Sequence, residues 1–202
     1  TLFRSTGMFY GCFSLTSLSF PNTFRTSLIT DMNNMFAECS SLEELNLNQF
    51  DTSKVTNMAY MFKGCYSLKK LLINTFSTSQ VLDMSYMFSG CSSLDEIDIN
   101  NFDTYKVISM RNLFSKCESL KAINLSKFDT CNVINMESMF KDCSSLKDLY
   151  ISNFQTSSVK KMNSMFQGCS SIESLLIDNF NTSNVIDMGN MFTGCSSLIS
   201  LN

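Results

Sequence analysis

The chain has 202 residues, a formal net charge of −3 and no histidine. This mild acidity gives no basic face for nucleic acid, and the lack of histidine removes Ser–His and Cys–His nucleophile pairs and most catalytic metal sites. No stretch of about 18 apolar residues occurs, so we expect no membrane span. We therefore expect a protein that is not an enzyme, carries no cofactor or metal, and does not bind nucleic acid.

A 26-residue period organises the chain. Three series keep it, namely cysteines from Cys39, phenylalanines from Phe36 and threonines from Thr26. A period of this length with an L-x-x-L-x-L pattern is typical of leucine-rich-repeat solenoids, in which each repeat contacts only its neighbours. We predict one solenoid domain over residues 1–202, with about eight repeats, the first partial and the last truncated. Because both ends fall inside a repeat, we interpret the chain as a fragment of a longer protein.

The first unit is irregular. Residues 1–12 match the later units at a step of 27 rather than 26, and the extra residue lies near Pro21, between Phe20 and Phe24. Proline removes a hydrogen-bond donor from a strand, which suits a strand end or a bulge. From Phe24 onward the register stays constant to Leu201.

Each repeat contains a short alternating segment that predicts a β-strand. Leu45 and Leu47 alternate with polar residues, a period of two. The equivalent pairs are Leu71/Ile73, Ile97/Ile99, Ile123/Leu125, Leu149/Ile151 and Leu175/Ile177. The apolar side chains should point into the coil, and the alternate side chains should form an outward, concave face. Parallel strands on successive coils should stack about 4.8 Å apart.

A turn follows each strand. Asp51 and Ser53 are residues whose side chains bond nearby backbone groups in turns. The recurrent Thr52 is interpreted as a hydroxyl that satisfies a backbone group of the turn or of the next coil. The alternative, an outward threonine array that contacts ice or glycan, would need a flat T-x-T pattern, and the sequence has one threonine per coil.

The next segment predicts one short helix per repeat. Asn57 stands where a helix N-cap is expected, and Met58, Met61 and Phe62 follow with the i, i+3, i+4 spacing of one apolar stripe. Gly64 then occupies the position where a left-handed residue ends a helix. The fold class predicted is thus an α/β solenoid, a right-handed coil with one short parallel strand and one short helix per repeat.

The cysteine series allows two interpretations. Stacked coils would place the thiols about 4.8 Å apart, within the range of a disulfide, but each inner cysteine has two equivalent neighbours and can bond only one. A reduced, buried ladder is the favoured interpretation, because a buried free cysteine behaves as a small hydrophobe. Cys131 lies outside this series in a turn and is the one candidate reactive thiol.

The candidate binding site is the central column of the concave face, which changes character at every repeat while the core columns hardly vary. Tyr150 and Leu176 should lie side by side there, and exposed aromatic residues are favoured in binding hot spots. Isolated exposed apolar residues are also ordinary, so both interpretations stay open. The flanking charges mostly alternate in sign between repeats, which indicates control of register. The candidate column comprises Asn46, Leu72, Asp98, Asn124, Tyr150, Leu176 and Asn202.

The repeat unit F-D-T-S-x-V-x-x-M-x-x-M-F-x-G-C-S-S-L-x-x-L-x-L resembles the repeat of the BspA-like branch of leucine-rich repeats, found in bacterial surface proteins and some protists. Residues 24–201 match throughout, with departures at Leu113, Glu118 and Lys161. The resemblance implies an extracellular or cell-surface protein that uses its solenoid for adhesion or interaction. It implies no catalytic residue and identifies no ligand.

The leading hypothesis is a non-catalytic interaction or adhesion module that binds a protein or glycan through its concave face. The alternative is a structural spacer or self-assembling array. Since an open solenoid end exposes apolar residues, and neither end of the chain carries a polar cap, end-to-end self-association is also expected to be available.

Overall fold

The computed structural model describes residues 3–201, so Asn202 lies outside the described residues. Nine short strands follow in chain order, all paired in parallel. The sheets have the orders β1-β3, β2-β4-β5, β6-β7 and β8-β9. The strands are β1 (Phe3–Arg4), β2 (Ser17–Leu18), β3 (Ile29–Asp31), β4 (Glu44–Asn46), β5 (Lys70–Leu72), β6 (Ala122–Asn124), β7 (Asp148–Tyr150), β8 (Ser174–Leu175) and β9 (Ser200–Leu201).

The strand register reproduces the sequence period. Leu45 pairs with Leu71 and Ile123 pairs with Leu149, in each case one 26-residue repeat apart. In the first unit Leu18 pairs with Leu45, which is one residue more and matches the insertion expected near Pro21. Each repeat is therefore one coil of a solenoid that is hydrogen-bonded to the next coil.

The segment predicted as a helix has a different structure, and residues 3–201 contain no helix. The N–H of Met61 donates to the carbonyl of Met58, and the N–H of Cys65 donates to that of Phe62, which closes successive turns. The alternate residues Tyr60 and Phe62 donate to the next coil instead. Tyr60 and Gly64 have φ of 62° and 73°, and a left-handed residue every four positions prevents a continuous right-handed helix. The prediction of one short helix per repeat is therefore not met.

The interior is filled by columns of identical residues. The phenylalanines of the turn segment lie in parallel stacks, with ring centroids 5.4–5.8 Å apart between neighbouring coils. Methionine, valine and leucine columns surround this stack and are almost completely buried. Burial of large apolar side chains on every coil supplies the main stabilising free energy of such a fold. The stacked column comprises Phe36, Phe62, Phe88, Phe114, Phe140 and Phe166.

The threonine column joins coil to coil, as its structural interpretation predicts. The Thr52 hydroxyl donates to the carbonyl of Ser77 (2.9 Å) and accepts the N–H of the same residue (2.8 Å). Thr78 makes the same pair of bonds with Asp103. Both threonines are 1% exposed, so these hydroxyls are unavailable for an outward threonine array.

The cysteine column is reduced. All nine cysteines are free. The Cys65 thiol donates to the carbonyl of Phe36 (3.2 Å), and Cys91 makes the equivalent bond to Phe62 (3.3 Å). Burial raises the pKa of the Cys39 thiol to about 11 and that of Cys91 well above its usual range. Each buried thiol therefore stays protonated and acts as a hydrogen-bond donor between coils.

Candidate functional site on the concave face

The predicted site residues occupy outward positions, at the last residue of a strand for Asn46, Leu72, Asn124 and Tyr150, and outside the strands for Asp98 and Leu176. Tyr150 is 55% exposed and Leu176 is 52% exposed. Asn46, Asp98 and Asn124 are also exposed, and Leu72 is half-buried. Tyr150 and Leu176 line one depression together with Asp148 and Glu173.

The polar members of the column have a structural role. The side-chain oxygen of Asn46 accepts the backbone N–H of Asn48 (3.0 Å), and that of Asn124 accepts the N–H of Ser126 (3.0 Å). Asp98 holds Asn100 in the same way. These bonds fix the turn after the strand, as short polar side chains commonly do. Leu72, Tyr150 and Leu176 cannot make such a bond, so their presence needs another explanation.

The strand ladder of the concave face is broken at two places. The strand predicted at Ile97/Ile99 is absent, and residues 95–99 have no strand assignment in the structure. Here the Asn74 amide donates to the Asp98 carboxylate (2.9 Å). A side-chain hydrogen bond therefore links these two coils at the place where strand pairing is absent. Within the described residues, β7 and β8 also do not pair with each other, although they lie on consecutive coils.

A depression of about 410 Å³ lies at each break. We name them the first depression, which contains Leu72, Glu96 and Asp98, and the second depression, which contains Tyr150, Leu176 and Glu173. Both combine apolar side chains with charged groups, the mixture that gives a binding site affinity and orientation. The remaining lining residues are Lys69, Lys70, Leu71, Asn74, Ile97 and Asn100 in the first, and Lys147, Asp148, Leu149, Ser171 and Ser174 in the second.

The flanking charge column is only partly paired. Glu43 and Lys69 form an ion pair at 3.0 Å, and Asp95 and Lys121 form one at 3.3 Å. The sequence places Lys147 and Glu173 next in this alternation, but among residues 3–201 no ion pair joins them. This missing pair coincides with the break between β7 and β8, and both charges border the second depression.

The structure gives no support to a reactive thiol at Cys131. This side chain is half-buried, and its hydrogen bond with the Asp129 carboxylate raises its pKa, which disfavours the thiolate. Cys12 is the exposed cysteine instead. Over the part of the chain that the structure covers, no group of three or more acidic, cysteine or histidine side chains could hold a metal ion. Within the same residues, no helix is long and apolar enough to cross a membrane.

Two exposed features escaped the sequence interpretation. Leu82, Ile108 and Ile134 are 41–43% exposed and are joined by backbone hydrogen bonds on three consecutive coils. Each follows a buried valine in an extended segment, and this alternation was a signal that they face outward. The second feature is a stacked pair, Tyr60 and Tyr86, with ring centroids 4.7 Å apart. Their left-handed backbone gave no signal in the sequence, because bulky residues are unusual there.

The parallel 26-residue coils, most of which carry an outward strand beside a leucine- and phenylalanine-rich interior, define a leucine-rich-repeat protein, and the resemblance to the BspA-like branch is confirmed. The chain matches the family model described as "Mycoplasma protein of unknown function, DUF285" over residues 4–123 and 108–201, and it belongs to this family. No curated protein matches the chain.

Two solved structures are similar to this one. A leucine-rich repeat protein from Bacteroides ovatus has a TM-score of 0.52 and 22% identity, over 97% of this chain and 57% of that one. A leucine rich cell surface protein from Faecalibacterium prausnitzii has a TM-score of 0.33 and 17% identity, over 98% of this chain and 77% of that one. The Bacteroides ovatus structure supports the repeat fold, and this chain spans little more than half of its length.

Proposed function

We propose that this chain is a non-catalytic interaction or adhesion module of a cell-surface or secreted protein, and that its concave face binds the partner. The observation that carries this proposal is the exposed pair of Tyr150 and Leu176 above the break between β7 and β8. The proposed surface location rests on the resemblance of the repeat to that of bacterial surface proteins.

The chemistry of the column supports binding rather than structure alone. Asn46, Asp98 and Asn124 each fix the turn after their strand, so a small polar residue is the structurally useful choice. Tyr150 and Leu176 forgo that bond and expose apolar area to water, which is unfavourable unless a partner covers it. Tyrosine, which here lines a depression, is also a frequent binding anchor.

A binding screen tests this proposal. The purified chain is screened against arrays of extracellular proteins and glycans, and every positive is measured again with the double variant Tyr150→Ala/Leu176→Ala. The matched control is Tyr105→Ala/Ile108→Ala, because these side chains are 57% and 42% exposed but lie outside the concave face. We expect the first variant to lose binding and the control to keep it. Equal binding by both variants would refute the concave face as the site.

The alternative function is a structural spacer or self-assembling array. One observation favours it: a line of single-residue parallel bridges runs without a break from Asp31 to Asp187 and holds successive coils together. A rod of this kind could set a distance or associate end to end. Absence of any partner in the screen, together with a sedimentation coefficient that rises with concentration, would support this alternative.

A further inference from the structure

We propose that the partner of the concave face is a basic polypeptide segment that runs along the solenoid axis and places one cationic side chain in each of the two depressions. This inference rests on the proposed binding function of that face. It adds the chemical class of the partner and the spacing of its recognised residues.

The concave face carries the acidic excess of the chain. We count the four outward columns that begin at Glu43, Glu44, Asn46 and Asn48. They contain eight carboxylates and only four lysines, whereas the formal charge of the whole chain is −3. The carboxylates are those of Glu43, Glu44, Asp95, Glu96, Asp98, Asp148, Glu173 and Asp178, and the lysines are Lys69, Lys70, Lys121 and Lys147.

Pairing leaves five of these eight carboxylates free, and three of the five border the two depressions. Glu43 and Asp95 are neutralised by lysines of the next coil. Within the described residues, Glu44, Glu96, Asp148, Glu173 and Asp178 have neither an ion pair nor a side-chain hydrogen bond, and all five are exposed. Glu96 borders the first depression, and Asp148 and Glu173 border the second. Each depression therefore offers a free carboxylate beside an apolar surface. Lys70 and Lys147, which form no ion pair within residues 3–201, line the first and second depression respectively, but since Lys69 is held by Glu43, the remaining carboxylates of each depression outnumber its free lysine by one. An arginine or lysine side chain suits such a place, because its aliphatic stem covers apolar atoms while its charged end reaches the carboxylate.

Tyr150 strengthens this assignment for the second depression. A cation over a tyrosine ring is attracted by the ring quadrupole. The exposed ring shares its depression with Asp148 and Glu173. The chain already shows this type of contact elsewhere, since the Arg111 guanidinium lies 5.6 Å from the Tyr86 ring centroid and pairs with Glu137 at 3.0 Å.

The separation of the depressions sets the spacing of the ligand residues. The break at Leu72/Asp98 and the break at Tyr150/Leu176 are three coils apart, or about 14 Å at the parallel-strand spacing of about 4.8 Å. An extended peptide advances about 3.4 Å per residue, so four residues cover the same distance. Residues four apart also project from the same side of an extended chain. The expected pattern is therefore two basic residues at i and i+4.

Charge also argues against two other occupants. An anionic glycan would meet the unpaired carboxylates of Glu96, Asp148 and Glu173 and be repelled. A second copy of the chain that docked through the same face would oppose two acidic surfaces, and like charges suppress such a contact. A neutral glycan remains as an outcome that the experiment separates from a peptide.

Fluorescence anisotropy with labelled 13-residue peptides tests the proposal. One peptide carries arginine at i and i+4 in a glycine-serine background, the second carries arginine at i and i+2, and the third has citrulline in place of both arginines. At low salt we expect the i, i+4 peptide to bind about two- to fivefold more tightly than the i, i+2 peptide. This is the change in dissociation constant expected from one additional exposed ion pair. The citrulline peptide should bind most weakly.

Single variants locate the contacts. Glu96→Gln and Glu173→Gln should each weaken the i, i+4 peptide about two- to fivefold. Glu118→Gln, which removes an exposed carboxylate outside the concave face, should leave binding unchanged. Binding that ignores arginine spacing, or that Glu118→Gln weakens as much as Glu173→Gln does, would overturn the inference.

The two proposals fail in different ways. If a screened partner is lost in Tyr150→Ala/Leu176→Ala but the arginine peptides do not bind, the concave face is a binding site and its partner is not a basic segment. A neutral glycan as that partner would give this result. If neither the screen nor the peptides give binding, the proposed function fails together with the inference.

Discussion

The threonine column offers the sharpest test of how the coils are joined. The Thr78 hydroxyl donates to the Asp103 carbonyl (2.8 Å) and accepts the Asp103 N–H (2.8 Å), and the side chain is 1% exposed. Thr78→Val keeps the volume of the side chain but removes both bonds. Each bond contributes about 0.5–1.5 kcal/mol, so the variant should lose about 1–3 kcal/mol of unfolding free energy. The loss should be near the lower value of this range if water replaces the two lost hydrogen bonds at Asp103, which is an exposed residue.

Two companion variants separate the hydroxyl from the methyl group. Thr78→Ser keeps both bonds and loses one buried methyl group, at about 1 kcal/mol. Thr182→Val changes the same column at an exposed position whose hydroxyl has no bond within residues 3–201, so it should be neutral. Urea denaturation followed by circular dichroism measures the free energies.

Amide hydrogen exchange gives the decisive measurement, because repeat arrays can open locally. The Asp103 amide should lose protection in Thr78→Val and retain it in Thr78→Ser. If Thr78→Val is as stable as the wild type and the Asp103 amide remains protected, the threonine column does not clamp the coils and the reasoning is refuted.

Three further predictions follow from other columns. Phe102→Ala should lower the free energy of unfolding by about 3–5 kcal/mol, because the ring is 3% exposed and its removal leaves a cavity. Tyr150→Ala should hardly change the urea midpoint. A large loss of unfolding free energy in Tyr150→Ala would show that this ring is a core residue. Burial raises the pKa of Cys39 from 9.0 to about 11, so between these pH values the unfolded chain loses a proton that the folded chain keeps, and stability falls with rising pH. Compared with Cys39→Ala, the wild type should lose about 1.4 kcal/mol more per pH unit in that window and show a constant difference below pH 9. Lys116 has a φ of 61°, so Lys116→Gly should raise the thermal midpoint by relieving about 0.5–1 kcal/mol of strain, and a lowered midpoint would contradict this.

The sequence alone predicts the period, the parallel register and almost all of the core. These features depend on apolar residues that recur at fixed positions, and a buried position tolerates little else. Leu45, Phe62 and Cys65 were assigned inward and are each at most 2% exposed. The insertion near Pro21 was readable for the same reason, since it shifts every later column by one residue.

The helix prediction fails because the i, i+3, i+4 stripe does not distinguish a helix from consecutive turns. Met58, Met61 and Phe62 point inward in both conformations. A second signal was available: Asn34 lies four residues before Glu38 and Tyr60 four residues before Gly64, and both members of each pair have a positive φ. Asparagine and glycine recur among these positions, and they are the residues that most readily accept this conformation.

The breaks in the strand ladder could not be predicted, since nothing in the alternating pattern of Ile97/Ile99 differs from that of Leu71/Ile73. Whether two strands pair depends on small displacements between coils rather than on which side chains face inward. The candidate residues Tyr150 and Leu176 were identifiable because they interrupt a polar column. That they share a depression with unpaired acidic side chains became visible only in three dimensions.

The distribution of hydrogen bonds explains why the concave face can vary while the rest of the repeat cannot. Coils are joined continuously by the bridges from Asp31 to Asp187, by the turn segments, and by the threonine and cysteine columns. The concave strands are thus not needed to hold consecutive coils together, and β7 and β8 lie on adjacent coils without pairing. Substitution on this face therefore carries little structural cost wherever the side chain, like that of Tyr150 or Leu176, does not bond the following turn. A scaffold arranged in this way can change its binding residues coil by coil, which is the property expected of an interaction module and one that a spacer would not require.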